Sequence, residues 1–226
     1  MMLNRISRAA PAEDQPLIHL SNVSKRFTLR REVSRSFQST FIRLLQRQKD
    51  TRQRFWAIQD VSFDVQQGDC FGVIGPNGSG KSTLLKLITG ILEPTQGEIS
   101  VNGRVASLLE LGAGFHPELT GRENIYLNGS VYGLSRRQMR SRVDQVIDYA
   151  ELGDFIDVPI KHYSSGMYVR LGFAVAIHSD PDILLVDEVL AVGDVAFQHK
   201  CLDSIQLFRA GGGTLLFVSH DISSIQ

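Results

Sequence analysis

GPNGSGKST, residues 75–83, comes directly after the apolar run CFGVI and directly before the leucine-rich LLKLI. A short apolar run ending on glycine has the pattern of a buried parallel strand, and the spacing beyond it predicts a helix. Strand, glycine-rich turn and helix in that order fit G-x-x-x-x-G-K-[ST], and phosphate chemistry explains the spacing. Gly75, Pro76, Asn77, Gly78, Ser79 and Gly80 are small or turn-forming, so the main chain curls and aims successive amides and the helix start at phosphate oxygens. Lys81 would neutralise the β and γ phosphates, Ser82 would ligate Mg²⁺, and Thr83 would add a hydroxyl nearby. The bland alternative is an ordinary glycine-rich turn, which the position between strand and helix disfavours.

About a hundred residues downstream, ILLVDE at 183–188 is an apolar strand that ends on two carboxylates. Side chains alternate along a strand, so Asp187 and Glu188 point different ways. Asp187 would stand beside the metal and Glu188 near the attacking water as general base. Alone, such a run is as readily a plain strand end. His220 follows a further apolar strand, 215–218, and would emerge at the same carboxyl edge of the sheet, within reach of a γ-phosphate. The other histidines, His19, His116, His162, His178 and His199, read as structural.

The rest of the chain frames this centre. Residues 1–16 are polar, with Pro11 and Pro16, and read as a loose leader before a first strand at 17–27. Residues 33–48 carry Val33, Phe37, Phe41, Leu44 and Leu45 at helical spacing on a basic background, an amphipathic insertion within about 29–54. Thr120 with Glu123 and Ser135 with Gln138 have the capping-box spacing. Met139, Val143, Val146, Ile147 and Ala150 make one helical face, inside a helical lobe at about 115–178. Alternating strand, helix and strand from 183 to 218 predicts a parallel sheet covered by helices.

Acidic and basic residues balance at 24 each, which gives no reason to expect nucleic acid as a partner. The basic charge is concentrated between Lys25 and Arg54, where Glu32 and Asp50 are the acidic residues, so the insertion would suit a membrane surface or a pore entrance; a solvated helix on its own subunit is the alternative. Cys70 and Cys201 stand far apart without ligand spacing and read as buried packing residues in a reducing compartment. No apolar stretch is long enough to span a bilayer, so any membrane crossing falls to another chain.

Phosphate loop, acidic strand end and strand-end histidine in this order resemble an ABC ATPase, and YSSGM at 163–167 stands where that family carries its LSGGQ-like signature. The resemblance implies that Ser164, Ser165 and Gly166 contact the γ-phosphate of ATP held by an opposing second copy. Ser165 replaces the first signature glycine and Met167 the glutamine. It further implies that Asp194 lies in a loop facing the partner's site and that Phe27 stacks on adenine, a core phenylalanine being the rival reading. The family's glutamine loop has no glutamine here. LLELGAG occupies its place, so Glu110 or a neighbour would take that role.

LLELGAGFHPELTGRENIYLNG, KHYSSGMYVRLGFAVA and DPDILLVDEVLAVGDVAFQHKC are similar to subunits that export O-antigen, capsule or teichoic-acid polymers. Members of that group often continue past the histidine, some into a carbohydrate-binding domain, whereas this chain stops six residues after His220, so a C-terminal part is expected to be missing. The fold expected is α/β: a phosphate-loop core with a mostly parallel sheet, an antiparallel β layer and a helical subdomain, spanning residues 17–226. The function expected is ATP hydrolysis, with Mg²⁺, at the interface of a head-to-tail dimer on the cytoplasmic face of the inner membrane. It would drive a permease that exports a lipid-linked polysaccharide. The alternatives are another cargo (lipid, drug or peptide), a soluble ABC ATPase acting on DNA or ribosomes, and a phosphate-loop kinase or GTPase outside the family.

Overall fold

The computed structural model describes residues 15–30, 52–109, 111–187 and 193–219. They fall into two compact units. The first draws on Met1–His19, Asp64–Asn77 and Ser100–Gln226, the second on Leu20–Phe63 and Gly78–Ile99.

The first unit is built on four parallel strands. β3 (Cys70–Ile74), β5 (Val105–Ser107), β6 (Ile183–Asp187) and β7 (Thr214–Ser219) lie in the order β3-β7-β6-β5. The registers Ile74↔Ser219, Asp187↔Val218 and Ser107↔Leu185 bring the carboxyl ends of these strands to one edge. A parallel strand covered on both faces needs continuous apolar sequence rather than alternation. ILLVD and TLLFVS supply it, with Ile183, Leu184, Leu185 and Leu216 fully buried. α6 (Val195–Ala210) closes one core cluster by setting Phe197, Cys201 and Ile205 against Ala106, Phe173 and Leu184. Burial pushes the Cys201 thiol up to about 12, so it packs there as an inert group.

β3 departs from expectation. It is parallel as read, but among the described residues it is the edge strand of this sheet, paired on one side with β7. Cys70 is therefore exposed rather than buried, and Ile74 is 43% exposed.

The helices of this unit begin where polar side chains can close their first turns. α2 (Gly121–Val131) starts at Thr120 and α3 (Arg136–Arg140) at Ser135. Both caps are reciprocal boxes, with Glu123 and Gln138 reaching back, and each is worth about 1 kcal/mol. Buried Asn124 ties down the turn before α2: its side-chain oxygen accepts from the His116 amide at 2.7 Å and its amide donates to the carbonyls of His116, Leu119 and Thr120. The single helical face expected from Met139 to Ala150 is broken in two. Ser141 donates back to the Gln138 carbonyl at 2.8 Å, which ends α3, and α4 (Val143–Ala150) starts afresh. The five apolar residues remain buried, packed with Ile125, Leu171 and Val175. Leu171 and Val175 belong to α5 (Ser165–Ile177), the long helix of the cluster.

The second unit carries a three-stranded sheet, β2-β1-β4, from β1 (Ile18–Arg30), β2 (Arg52–Val65) and β4 (Gln96–Val101). Its strands run antiparallel, and Thr95 N donates to Ser24 O at 2.8 Å. β1 continues past Phe27 to Arg30, and β2 begins at Arg52. The amphipathic helix expected at 33–48 lies outside the described residues. α1 (Lys81–Ile88) buries Leu84, Leu85, Leu87 and Ile88 in this unit.

Candidate functional site

The phosphate-loop residues occupy the turn between β3 and α1. Gly75 donates its amide to the Ser219 carbonyl at 3.3 Å, which ties the loop entry to the end of β7. Gly78 and Gly80 are both left-handed, with φ 82 and 97. The two glycines are required for different reasons. A Cβ on Gly78 would meet nothing within 4 Å, so only backbone strain opposes it. A Cβ on Gly80 would lie 2.5 Å from the Ala57 carbonyl oxygen and 2.5 Å from Ile58. We therefore expect Gly80→Ala to lower the melting temperature clearly more than Gly78→Ala, whose cost is about 1–2 kcal/mol of conformational strain; thermal denaturation of the two variants checks this.

α1 starts at Gly80 without a side-chain cap, whereas α2, α3, α5 and α6 are capped by Thr120, Ser135, Ser164 and Asp194. A helix start left uncapped has amides to offer an anion. Lys81, Ser82 and Thr83 form its first turn. Pro76, Asn77 and Ser79 line the turn between strand and helix and are exposed. Asp187 closes β6 beside Val218 of β7, at the strand edge from which the loop departs. Glu188, Glu110 and His220 lie outside the described residues.

A separate cleft of about 580 Å³ opens at the start of α5. Ser164 caps that helix, its hydroxyl accepting from the Met167 amide at 3.2 Å, and Ser165 is exposed beside it. Gly166 is informative because the fold does not call for it. Its nearest neighbour to a Cβ would be the Ser164 hydroxyl at 3.9 Å, and its φ is not left-handed. Glycine at such a position leaves the backbone open to close approach from outside. Tyr163 packs over Gly121 and donates to the Phe155 carbonyl at 2.8 Å; burial pushes its phenol up to about 12, so it stays a neutral anchor.

The same cleft holds Glu151, Arg170 and Asp194. Arg170 bonds Glu151 at 2.6 Å and Asp194 with its other arm, and Lys200 reaches Glu151 at 3.0 Å. The Phe197 amide first, and then Arg170, hold the Asp194 carboxyl below its ordinary value. Lys200 and then Arg170 do the same for Glu151. Asp194 thus has both oxygens engaged within its own subunit, one capping α6 and one on Arg170.

Phe27 is half-buried on β1, stacked on Phe55 with ring centroids 5.7 Å apart, and the Lys25 ammonium lies 5.5 Å from its ring centre. Phe55 is 42% exposed, so an aromatic pair rather than a lone ring is presented. The loop before Phe115 is fixed to α5: Tyr168 donates to the Gly112 carbonyl at 3.0 Å, and a Cβ on Gly172 would come within 2.9 Å of the Gly112 nitrogen. Sequence reasoning missed Phe55, Tyr168, Glu151 and Arg170. Arg170 had a signal, since it stands one helical turn beyond Gly166 and so on the same face.

The ABC transporter family pattern matches residues 58–191, and the chain belongs to that family. The chain is 48% identical over 215 residues to the O-antigen export system ATP-binding protein RfbB of Klebsiella pneumoniae, covering 94% of this chain and 87% of that one. It is 43% identical to the teichoic acids export ATP-binding protein TagH of Listeria monocytogenes, over 92% of this chain and 61% of that protein. Among solved structures, a dimeric ATP-binding cassette in a post-hydrolysis state with ADP and Pi matches with a TM-score of 0.67 at 22% identity, covering 92% of this chain and 89% of that one. That likeness is one of fold. Among the described residues, no helix is long and apolar enough to cross a membrane.

Proposed function

We propose that this chain is the ATP-binding and ATP-hydrolysing subunit of an exporter of a lipid-linked, O-antigen-like polysaccharide, working as a head-to-tail pair. The observation that carries the reading is a second helix start that lines an open cleft, although Ser164 caps it at the Met167 amide. α5 opens on a cleft with Ser164 and an otherwise unneeded Gly166, in a chain whose phosphate loop already opens α1. One chain with a phosphate loop and a separate receptive helix start suits a pair in which each ATP is gripped by the loop of one copy and covered by the cleft of the other.

In this reading, the amides of residues 75–83 and Lys81 hold the triphosphate, and the Phe27 ring lies on adenine. Glu188 takes a proton from the attacking water as the water oxygen bonds to the γ-phosphorus, the bond from that phosphorus to the β,γ-bridging oxygen breaks, and ADP and phosphate leave. His220 and Ser164 contact the γ-phosphate from the two sides, and Asp194 shapes the cleft from its own subunit. Magnesium prefers oxygen donors, and the Ser82 hydroxyl and the Asp187 carboxylate would hold it together with the phosphate oxygens, where it would neutralise phosphate charge. Closure on ATP and opening after hydrolysis would move a permease in the inner membrane, which places this chain at the cytoplasmic face. Glu110 would sit at the coupling loop in place of a glutamine.

The cargo reading is supported by the O-antigen and teichoic-acid export names of the relatives. Two measurements test the proposal. Calorimetry with Mg²⁺ and ATP should show binding to the folded protein, and none would remove the reading. Glycolipid carried by the co-purified membrane complex should be a polysaccharide precursor; a lipid, drug or peptide there would replace the cargo.

A further inference from the structure

Glu151 closes α4 in the left-handed region, with φ 57. Glycine takes that backbone freely, and a residue with a Cβ does so under strain. What the position gains is a carboxylate. One oxygen accepts from Arg170 at 2.6 Å and the other from Lys200 at 3.0 Å. Arg170, 18% exposed, lies with its guanidinium 4.8 Å from the Phe197 ring centre, and its other arm is held by Asp194. The charges therefore join the end of α4, the middle of α5 and the start of α6, and Glu151, Arg170 and Asp194 face the cleft that contains Ser164 and Gly166.

A guanidinium is a strong, bidentate phosphate ligand. Left with one partner beside an incoming triphosphate, Arg170 would swing towards it and compete with the helix amides and Ser164. Held between two carboxylates, it is neutralised and fixed in direction. We infer that Glu151 is a positioning residue for hydrolysis: it pins Arg170, and through Arg170 the Asp194 loop, so that the cleft keeps one shape when the ATP of a second copy closes onto it. This rests on the reading above, in which the cleft covers the phosphate end of that ATP.

The test uses the full-length chain with the membrane protein that co-purifies with it. Glu151→Gly relieves the left-handed backbone, so it should melt no lower than wild type. Its kcat at saturating Mg²⁺ and ATP should nonetheless fall about tenfold, with KM within about twofold, as misplacement of a supporting group does. Glu151→Gln, which retains part of the hydrogen bonding, should fall between the two. If Glu151 only ends a helix, Glu151→Gly will turn over at the wild-type rate and the inference is overturned.

A second arm pairs two differently tagged copies, one of them carrying Glu188→Gln. When Glu151→Gly is on that same copy, the remaining working carboxylate faces the altered cleft. When it is on the other copy, one site stays whole. The first pair should run at about a tenth of the rate of the second, and equal rates overturn the inference. Wild-type protein that binds no ATP, or a Glu188→Gln homodimer with full turnover, would instead remove the underlying reading and leave this one without a subject.

Discussion

Glu188→Gln is expected to bind Mg²⁺ and ATP as wild type does and to lose about 10²- to 10⁴-fold in turnover. The amide matches the carboxylate in size and can still accept a hydrogen bond from water, but it cannot take a proton at neutral pH. The triphosphate is held by the loop at 75–83, which the substitution does not touch. Affinity and rate should therefore separate: calorimetry gives an unchanged dissociation constant while steady-state phosphate release collapses. With opening after hydrolysis suppressed, the variant should also accumulate as a dimer in the presence of ATP, visible by size-exclusion chromatography. Turnover at the wild-type rate would take the general-base role away from Glu188.

Gly166→Asp should separate stability from activity in the same way, from the other side of the interface. The structure leaves room for a Cβ, whose nearest atom would be the Ser164 hydroxyl at 3.9 Å. A carboxylate in the first turn of a helix also interacts favourably with its dipole, by about 0.3–1 kcal/mol. The variant should therefore melt at or slightly above the wild-type temperature. Turnover should nonetheless fall by about 10²-fold, because a negative charge now stands where a γ-phosphate must approach the α5 amides. ATP binding to the isolated chain should be unaffected. A variant that hydrolyses normally would show that nothing anionic approaches Gly166.

Much of this arrangement was legible in the residues. ILLVD and TLLFVS could be read as buried parallel strands because continuous apolar sequence has few other uses at that length, and both are buried in that sheet. The boxes at Thr120 and Ser135 depend on local hydrogen bonds, which sequence spacing alone decides, and both formed. What escaped was set by partners distant in sequence. Whether CFGVI is a central or an edge strand depends on which strands pair with it, and nothing within the run says that β7 would be its one partner among the described residues. The break between α3 and α4 depends on whether the Ser141 hydroxyl turns back to its own helix, a choice that apolar periodicity does not record. In the candidate site, the phosphate loop and the signature could be found because each is contiguous. The Glu151–Arg170–Asp194–Lys200 network could not, because it is assembled from three separate helices and one residue whose left-handed backbone is visible only in three dimensions.

The contact between Gly112 and Gly172 bears on how force would travel through the molecule. Neither residue has space for a methyl group, Gly112 lying against the Tyr168 ring and Gly172 against the Gly112 backbone. With no side chain between the two backbones, a displacement of Gly112 would pass directly to the helix that opens on Ser164 rather than being absorbed as side-chain rearrangement.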